Sequence, residues 1–435
     1  MSRFSLIYIG CFLIFLSVFS FLNIIYSYYF DIYLNIDAYT YCFFISLILG
    51  TFLIFFKKIK YKKITIYEKI LTVLFGYLFF PLIISLPFYF SINNISFLSC
   101  YFEAISGFTS TGFTVFNNVK HLDQSLLLWR STSQWFGGVY FLFSILLLID
   151  IFDDSLKKSL TNFISFNYSE TFKQSFKIFV LYLSLTLFIF IILKLIDIRT
   201  FDSFNLSMTI ISSGGFLPVN DISNIINTNT KEITFSILML FSFFSLFLAY
   251  NVFLLKNKTL NFFAEDIYLL IYLFSLIIIF FTFFNTNYNF STILFSLTSS
   301  VSNIGISFNN SPSNLWFIFL IIVIIGGSFF STSSGLRLLK MYILLKYSIN
   351  EILSYSKPNN VFNNKLQLIN SNIEQKDINK YFLSVLIFII SLFTITSLLT
   401  IFDISFEQSF KLGILTLMNT VNSSMYGLNN FDFFD

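Results

Sequence analysis

The chain has very few of the residues from which catalytic and metal centres are built. It carries one histidine, His121, and three cysteines, Cys11, Cys42 and Cys100, in 435 residues. These cannot supply four closely spaced zinc ligands, and they give no support for a disulfide framework. Charge is scarce too, at 11% of residues, against roughly 25% in soluble domains. No Gly-Lys-Ser/Thr phosphate-cradling motif occurs, and the polar stretches are too short for a nucleotide-binding domain. No cluster of His, Cys or acidic residues falls within an apolar run to pair a nucleophile with its base, which argues against a multi-pass enzyme.

What the chain has in abundance is apolar sequence, with 56% hydrophobic residues and a mean hydropathy of +0.80. Runs near the roughly 20 residues needed to cross a bilayer recur at 4–26, 41–56, 67–90, 128–149, 174–196, 232–255, 266–284, 314–330 and 380–402. The expectation is an integral membrane protein with nine spans. The first run is too long for a signal-peptide core and no small-residue cleavage site follows, so it is read as a retained helix.

Lys and Arg set the orientation. Arg3, the run "KKIKYKK" (Lys57 to Lys63), Lys157, Lys158, Lys256, Lys258 and the group from Arg337 to Lys365 fall on one side if every span crosses once. That side, with the N-terminus, is expected to be cytoplasmic in a multi-pass protein of the cell (inner) membrane. The basic excess is then a topology signal, and no nucleic-acid partner is expected.

Four of the outer loops share one organisation. They read "FLSCYFEAISGFTSTGFTVF" (97–116), "FDSFNLSMTIISSGGFLPVN" (201–220), "STILFSLTSSVSNIGISFNN" (291–310) and "FEQSFKLGILTLMNTVNSSM" (406–425). In each, a half-length amphipathic helix leads into a small polar turn, the pattern of a re-entrant segment. Non-helical backbone survives at membrane depth only inside protein or along a water-filled path. Carbonyls of four such turns could replace the hydration shell of a cation, favoured by the negative C-terminal ends of the half-helices. The turns contain no carboxylate, so a monovalent ion suits them better than calcium or magnesium. Glu103, Asp202 and Glu407 are read either as complements to helix N-termini or as a cation-attracting vestibule.

These segments, with "LLLWRSTSQWFGG" (Leu127 to Gly138) and "IIGGSFFSTSSGLRLLK" (Ile324 to Lys340), resemble the Trk/Ktr/HKT superfamily of potassium and sodium transporters. The resemblance runs from about residue 65 to the end. It implies an all-α polytopic membrane protein of four membrane-pore-membrane repeats around a pseudo-fourfold axis, plus two extra N-terminal helices. The implied divisions are 1–64 for the leading helices and basic loop, then repeats at 65–158, 159–260, 261–360 and 361–435. The last helix of the fourth repeat is expected to be missing, since the sequence ends at Asp435, shortly after the fourth turn.

Carried over position by position, the resemblance implies an ion filter. Its first turn is Ser110, Thr111, Gly112 and Phe113, and its second is Ser213, Gly214, Gly215 and Phe216. The third is Asn303, Ile304, Gly305 and Ile306, and the fourth is Thr420, Val421, Asn422 and Ser423, with Asn422 in place of a glycine. In the family such a loss is associated with greater sodium permeation, so the expected cargo is K+, with Na+ as the alternative.

The stretch Gly326 to Gly335 is read either as a close helix-packing surface or, as the resemblance implies, as an intramembrane gate formed by Gly326, Gly327, Ser331, Thr332, Ser333, Ser334 and Gly335. Arg337 is either a positive-inside anchor or part of that gate. Arg130 is expected to brace the pore helices, by bonding carbonyls or an acid such as Glu103. Trp129 and Trp135 are read as serving interface anchoring and packing, and His121 as an exposed loop residue. No cofactor is expected in this chain.

Flux would be passive or ion-coupled, as in symport, since one charge crossing 100 mV gains about 2.3 kcal/mol. The resemblance further implies a homodimer with a cytoplasmic nucleotide-binding regulatory subunit. The competing class is a non-conducting degenerate paralogue or scaffold.

Overall fold

The structure, a computed structural model, describes residues 3–55, 65–92, 94–148, 171–246, 248, 264–283, 289–308, 311–356 and 375–428. The basic run Lys57 to Lys63, with Lys157, Lys158, Lys256 and Lys258, lies outside the described residues.

Fourteen helices follow one another among the described residues. The first five are α1 (Arg3–Tyr29), α2 (Ile36–Phe55), α3 (Ile66–Ser91), α4 (Phe97–Phe108) and α5 (Gln124–Leu147). Next come α6 (Thr171–Leu195), α7 (Thr200–Ser212), α8 (Asn229–Phe243), α9 (Ala264–Phe283) and α10 (Phe290–Val301). The last four are α11 (Trp316–Ile324), α12 (Leu338–Ser356), α13 (Gln375–Ile401) and α14 (Phe406–Leu417). A two-residue parallel pairing joins β1 (Ile325–Gly326) to β2 (Leu336–Arg337). The chain is therefore an all-α polytopic membrane protein. The short helices α4, α7, α10 and α14 coincide with the four half-helices expected from sequence.

Among the described residues, six helices are long and apolar enough to cross a membrane: Ser5–Tyr29, Tyr33–Phe55, Ile66–Ser91, Ser175–Leu195, Glu265–Phe283 and Asp377–Ile401. The other three expected spans come out differently. The run at 128–149 is a full-length helix, α5, with a polar Arg-Ser-Thr-Ser-Gln stretch that lowers its hydropathy. In the run at 232–255 helix α8 ends at Phe243 and the backbone is broken there, with Leu246 helical again, and in the run at 314–330 helix α11 ends at Ile324, just before two glycines. Apolar composition persists across both breaks, which is why hydropathy alone does not register them.

The residues fall into two compact units, one formed by residues 1–152 with 178–225 and the other by 226–430 with 153–177. The first unit holds the first two turns and the second holds the last two.

Within the first unit the core is aromatic. Phe12, Phe80, Phe108, Phe136 and Tyr140 meet at ring-centroid separations between 5.0 Å and 5.9 Å. Tilted and edge-on ring pairs of this kind add to simple burial. α5 threads this core because its Gly137 and Gly138 carry no Cβ. A side chain at Gly137 would collide with the Phe108 carbonyl at the end of α4, and one at Gly138 with the Tyr182 hydroxyl. α3 begins at a reciprocal cap, in which Thr65 and Glu68 bond each other's backbone N–H.

In the second unit, Phe235 on α8 stacks against Phe295 on α10 at 5.7 Å, and Phe295 meets Phe308 beyond the third turn at 4.4 Å.

Candidate functional site

Each half-helix ends in the same cap. The residue at the turn's start takes a left-handed backbone, with φ of 58° at Ser110, 58° at Ser213, 60° at Asn303 and 45° at Asn419. The next N–H bonds the carbonyl five residues back: Thr111 to Ser106, Gly214 to Thr209, Ile304 to Ser299 and Thr420 to Leu415, at 2.9, 2.9, 3.1 and 2.9 Å. A second bond runs three residues back, from Ser110, Ser213, Asn303 and Asn419 to Gly107, Ile210, Ser300 and Thr416. This pair of bonds is the Schellman motif, which closes a helix while satisfying its last carbonyls. It exists here without glycine at the left-handed position, at Ser and Asn residues, of which Asn tolerates that region best.

Two residues beyond the left-handed residue, glycine takes φ of 81° at Gly112, 112° at Gly215 and 77° at Gly305. These values demand glycine, since a Cβ there would be strained. At Gly305 an added Cβ would also lie 2.6 Å from the Val421 carbonyl oxygen, so the third and fourth turns pass backbone to backbone.

The fourth turn departs from the others and from the sequence expectation. Counted from its left-handed residue, its register is Asn419, Thr420, Val421 and Asn422, one residue earlier than Thr420 to Ser423. Val421, not Asn422, holds the place of Gly112, and neither residue has a positive φ. The physical reason is that the turn itself, Asn419 to Ser423, contains no glycine. Asn419 takes the left-handed conformation, and the remainder of the turn continues without it.

One residue closes each of the first three turns from both ends. Ser106, Thr209 and Ser299 accept the cap bond on their backbone carbonyls, and their side-chain hydroxyls donate forward to the carbonyls of Phe113, Phe216 and Ile306, at 2.5, 2.9 and 2.6 Å. In the fourth turn that residue is Leu415, which has no hydroxyl. The sequence carried this signal as a hydroxyl residue six positions before each filter glycine, and reading the turns alone missed it.

α5 supplies polar side chains to the segments that leave the first two turns. Arg130 and Glu103 form a buried pair at 2.8 Å, with side chains 2% and 0% exposed. Glu103 also accepts from the Thr114 hydroxyl at 3.1 Å and the Val115 N–H at 3.0 Å. Arg130 donates to the Thr114 hydroxyl at 3.0 Å and the Leu217 carbonyl at 3.4 Å, and lies 4.1 Å from the centre of the Phe216 ring. One guanidinium thus touches the segments leaving both turns. Gln134 adds a second tie, accepting the Phe216 N–H at 3.3 Å.

Glu103 is thereby neither a helix N-terminal complement nor a vestibule acid. It stands in the middle of α4 with a buried partner. Asp202 does lie in the first turn of α7, paired with Arg199 at 3.0 Å, and Glu407 opens α14, paired with Lys411 at 2.7 Å. Trp129 and Trp135 are buried, in keeping with a packing role. Their indole N–H groups bond the Ile84 carbonyl at 3.0 Å and Thr186 at 2.9 Å. His121 is exposed.

In the second unit the third and fourth turns are tied by Asn303, whose amide donates to the Val323 carbonyl at 2.9 Å and to Thr420 at 3.3 Å. Lys411 is buried, donates to the Gly427 carbonyl at 3.2 Å, and sits 3.9 Å from the centre of the Trp316 ring.

The glycine-rich stretch is a folded loop, not a helix surface. It leaves α11 at Ile324 and re-enters α12 at Leu338, with Gly335 at φ 92°. Gly326 packs so closely on the Ser334 and Gly335 backbone that no side chain would fit. The loop borrows partners for its freed backbone groups, the condition for non-helical backbone in a membrane protein. Ser328 and Ser333 donate N–H groups to the Phe243 and Ser242 carbonyls at the end of α8, at 3.0 and 3.1 Å. Glu265 accepts the Phe329 N–H at 2.9 Å and the Ser328 hydroxyl at 3.3 Å. Arg337 donates to the Ser333 carbonyl at 2.9 Å and the Ser331 hydroxyl at 3.2 Å. Ser331 and Ser333 satisfy groups inside the loop, and Thr332 lies 3.5 Å from the Ser242 carbonyl. Arg337 is therefore part of the loop's own bonding. Sequence reasoning did not single out Glu265, the acid that holds the loop from α9.

Among the described residues, no group of three His, Cys, Asp or Glu is placed to hold a metal ion.

Taken together, the geometry defines a class: a polytopic helical membrane protein with capped half-helices and uncharged turns. The comparisons with known proteins agree with that class. No family model matches the chain. It is 26% identical over 374 residues to a cation transporter of Methanocaldococcus jannaschii, covering 79% of this chain and 75% of that protein. It is 25% identical over 354 residues to the Trk system potassium uptake protein TrkH of Escherichia coli K12, covering 76% and 72%. The crystal structure of the potassium transporter TrkH from Vibrio parahaemolyticus superposes with a TM-score of 0.80 at 20% identity, covering 96% of this chain and 90% of that one, a likeness of fold. In sequence the chain is thus similar to Trk-type transporters, and in fold to one of them; these relatives are transporters, not enzymes.

Proposed function

We propose that this chain carries a monovalent cation, potassium before sodium, inward across the cell membrane, through a filter made of the backbone carbonyls of its four turns. The observation that carries the reading is the shared cap: four half-helices end in one Schellman geometry, and three continue into glycine-dependent turns without a carboxylate. Neutral carbonyls and helix C-termini suit a dehydrated monovalent ion. The names of the relatives, potassium uptake protein and cation transporter, support the same cargo.

The loop from Gly326 to Gly335 is the proposed gate. Its backbone is held by Glu265 and Arg337, side chains that could release it without unfolding a helix. A cytoplasmic nucleotide-binding subunit and a second copy of the chain are the proposed partners, with the N-terminus cytoplasmic. Val421 at a glycine position favours a second reading, in which sodium permeates as well.

The test is growth of a potassium-uptake-deficient bacterium on limiting potassium, with this chain expressed alone and with a candidate regulatory subunit. Rescue is expected, and deletion of Phe329 to Ser333 should raise the uptake rate. Absence of rescue with the protein present in the membrane would move the assignment to a non-conducting scaffold. Equal or lower flux in the deletion, at normal expression, would remove the gate.

A further inference from the structure

We propose that Ser106, Thr209 and Ser299 are positioning residues for ion selection, holding their filter turns closed with a side-chain hydroxyl, and that the fourth turn, built on Leu415, is the one not held in this way. The proposal deepens the cation-filter reading and rests on it.

Hydroxyls on a buried helix ordinarily bond back to the carbonyl one turn earlier. Their neighbours do so: Ser212 bonds Met208, Ser296 bonds Thr292, Thr298 bonds Leu294 and Ser300 bonds Ser296, all between 2.8 and 2.9 Å. Ser106, Thr209 and Ser299 instead reach forward seven residues, across the cap, to Phe113, Phe216 and Ile306. All three lie at the same position relative to the left-handed residue and are buried, with exposures of 4%, 0% and 0%. Three independent sequences converge on one bond that helix formation does not require.

The consequence is mechanical. One residue anchors the start of the turn through its carbonyl and the end through its hydroxyl, so the intervening carbonyls are suspended between two fixed points. A carbonyl filter distinguishes ions by the number and direction of its dipoles, and a slack turn can close around the smaller ion. Losing an anchor should therefore favour sodium more than it reduces potassium. The fourth turn keeps the first anchor, the Thr420 N–H on the Leu415 carbonyl, and its sequence cannot supply the second from that residue. At the end of this turn the Asn422 side-chain oxygen and the Ser423 hydroxyl are buried with no hydrogen-bond partner among the described residues. A turn that lacks the second of these anchors and carries such polar atoms is the slack quarter that the proposal requires.

The experiment measures potassium uptake by intact cells with sodium as competitor, for Thr209→Val, Ser299→Ala and the hydroxyl-preserving Thr209→Ser, with membrane protein quantified in each. Thr209→Val and Ser299→Ala should each lower the preference for potassium over sodium about fivefold, the factor carried by one neutral hydrogen bond. Thr209→Ser should retain the parental preference. Unchanged preference in Thr209→Val and Ser299→Ala, or an equal fall in Thr209→Ser, overturns the proposal. Variants that fail to reach the membrane while Thr209→Ser does so at parental level would give these hydroxyls a folding role, and would also overturn it. A parent chain without uptake sinks the cation-filter reading, and this proposal with it. A parent that transports while its variants are indifferent sinks only the anchors.

Discussion

The first and fourth turns begin alike and end differently. Both open on a non-glycine residue in the left-handed region and close their half-helix with the same pair of backbone bonds. After that, the first turn has Gly112 at φ 81° and the Ser106 hydroxyl on its far carbonyl, while the fourth has Val421 and Leu415. The comparison separates two requirements. Ending a helix needs only a residue that tolerates the left-handed region, whereas shaping the turn beyond it needs glycine and a hydroxyl at fixed spacing.

The bracing around the two turns differs in the same sense, and the largest expected effect comes from it. Arg130 faces a fully buried carboxylate, whereas Lys411 faces Glu407, whose side chain is 66% exposed. Removing one member of a buried pair strands the other at a cost of about 3 to 5 kcal/mol. Arg130→Met should therefore lower thermal stability in detergent far more than Lys411→Met, whose partner can turn to water for less than about 1 kcal/mol. Equal losses in melting temperature would show that the two braces are energetically alike.

A middle-sized effect is expected at the glycine itself. Gly112→Ser places a Cβ at φ 81°, a conformation costing L-residues roughly 1 to 2 kcal/mol. Potassium preference over sodium should drop about tenfold if that strain distorts the turn. Unchanged ion competition would remove Gly112 from the filter.

Much of this architecture could be read from the residues, and the places where that reading failed have identifiable causes. The half-helices were legible because each is short, amphipathic and followed by Ser, Thr, Asn or Gly. The brace was legible in part, since a buried arginine needs a partner and Glu103 was within reach by type. The ends of α8 and α11 were not, because apolar residues continue past Phe243 and Ile324 and hydropathy does not register a broken backbone. Glu265 was hidden for a related reason. Its role depends on a loop 64 residues away along the chain, and no local pattern announces such a bond.

The smallest effect discriminates between two registers of the fourth turn. By sequence alone, Asn422 stands where the glycine belongs, and Thr416 lies six residues before it, as Ser106 lies before Gly112. By backbone, Asn419 starts the turn, Val421 holds the glycine place, and Thr416 is exposed. An asparagine early in the turn accepts the left-handed region cheaply, so the cap forms one residue sooner than the glycine pattern would dictate. If that cap governs, Val421→Gly should raise the preference for potassium by about threefold, the scale of relieving backbone restriction at one residue. Asn422→Gly should then leave it unchanged. If instead Asn422→Gly gives the gain, the half-helix must extend by one residue to bring the Thr416 hydroxyl into the place of Ser106. The fourth turn would then be anchored like the other three, and the difference between first and fourth turns would reduce to one missing glycine.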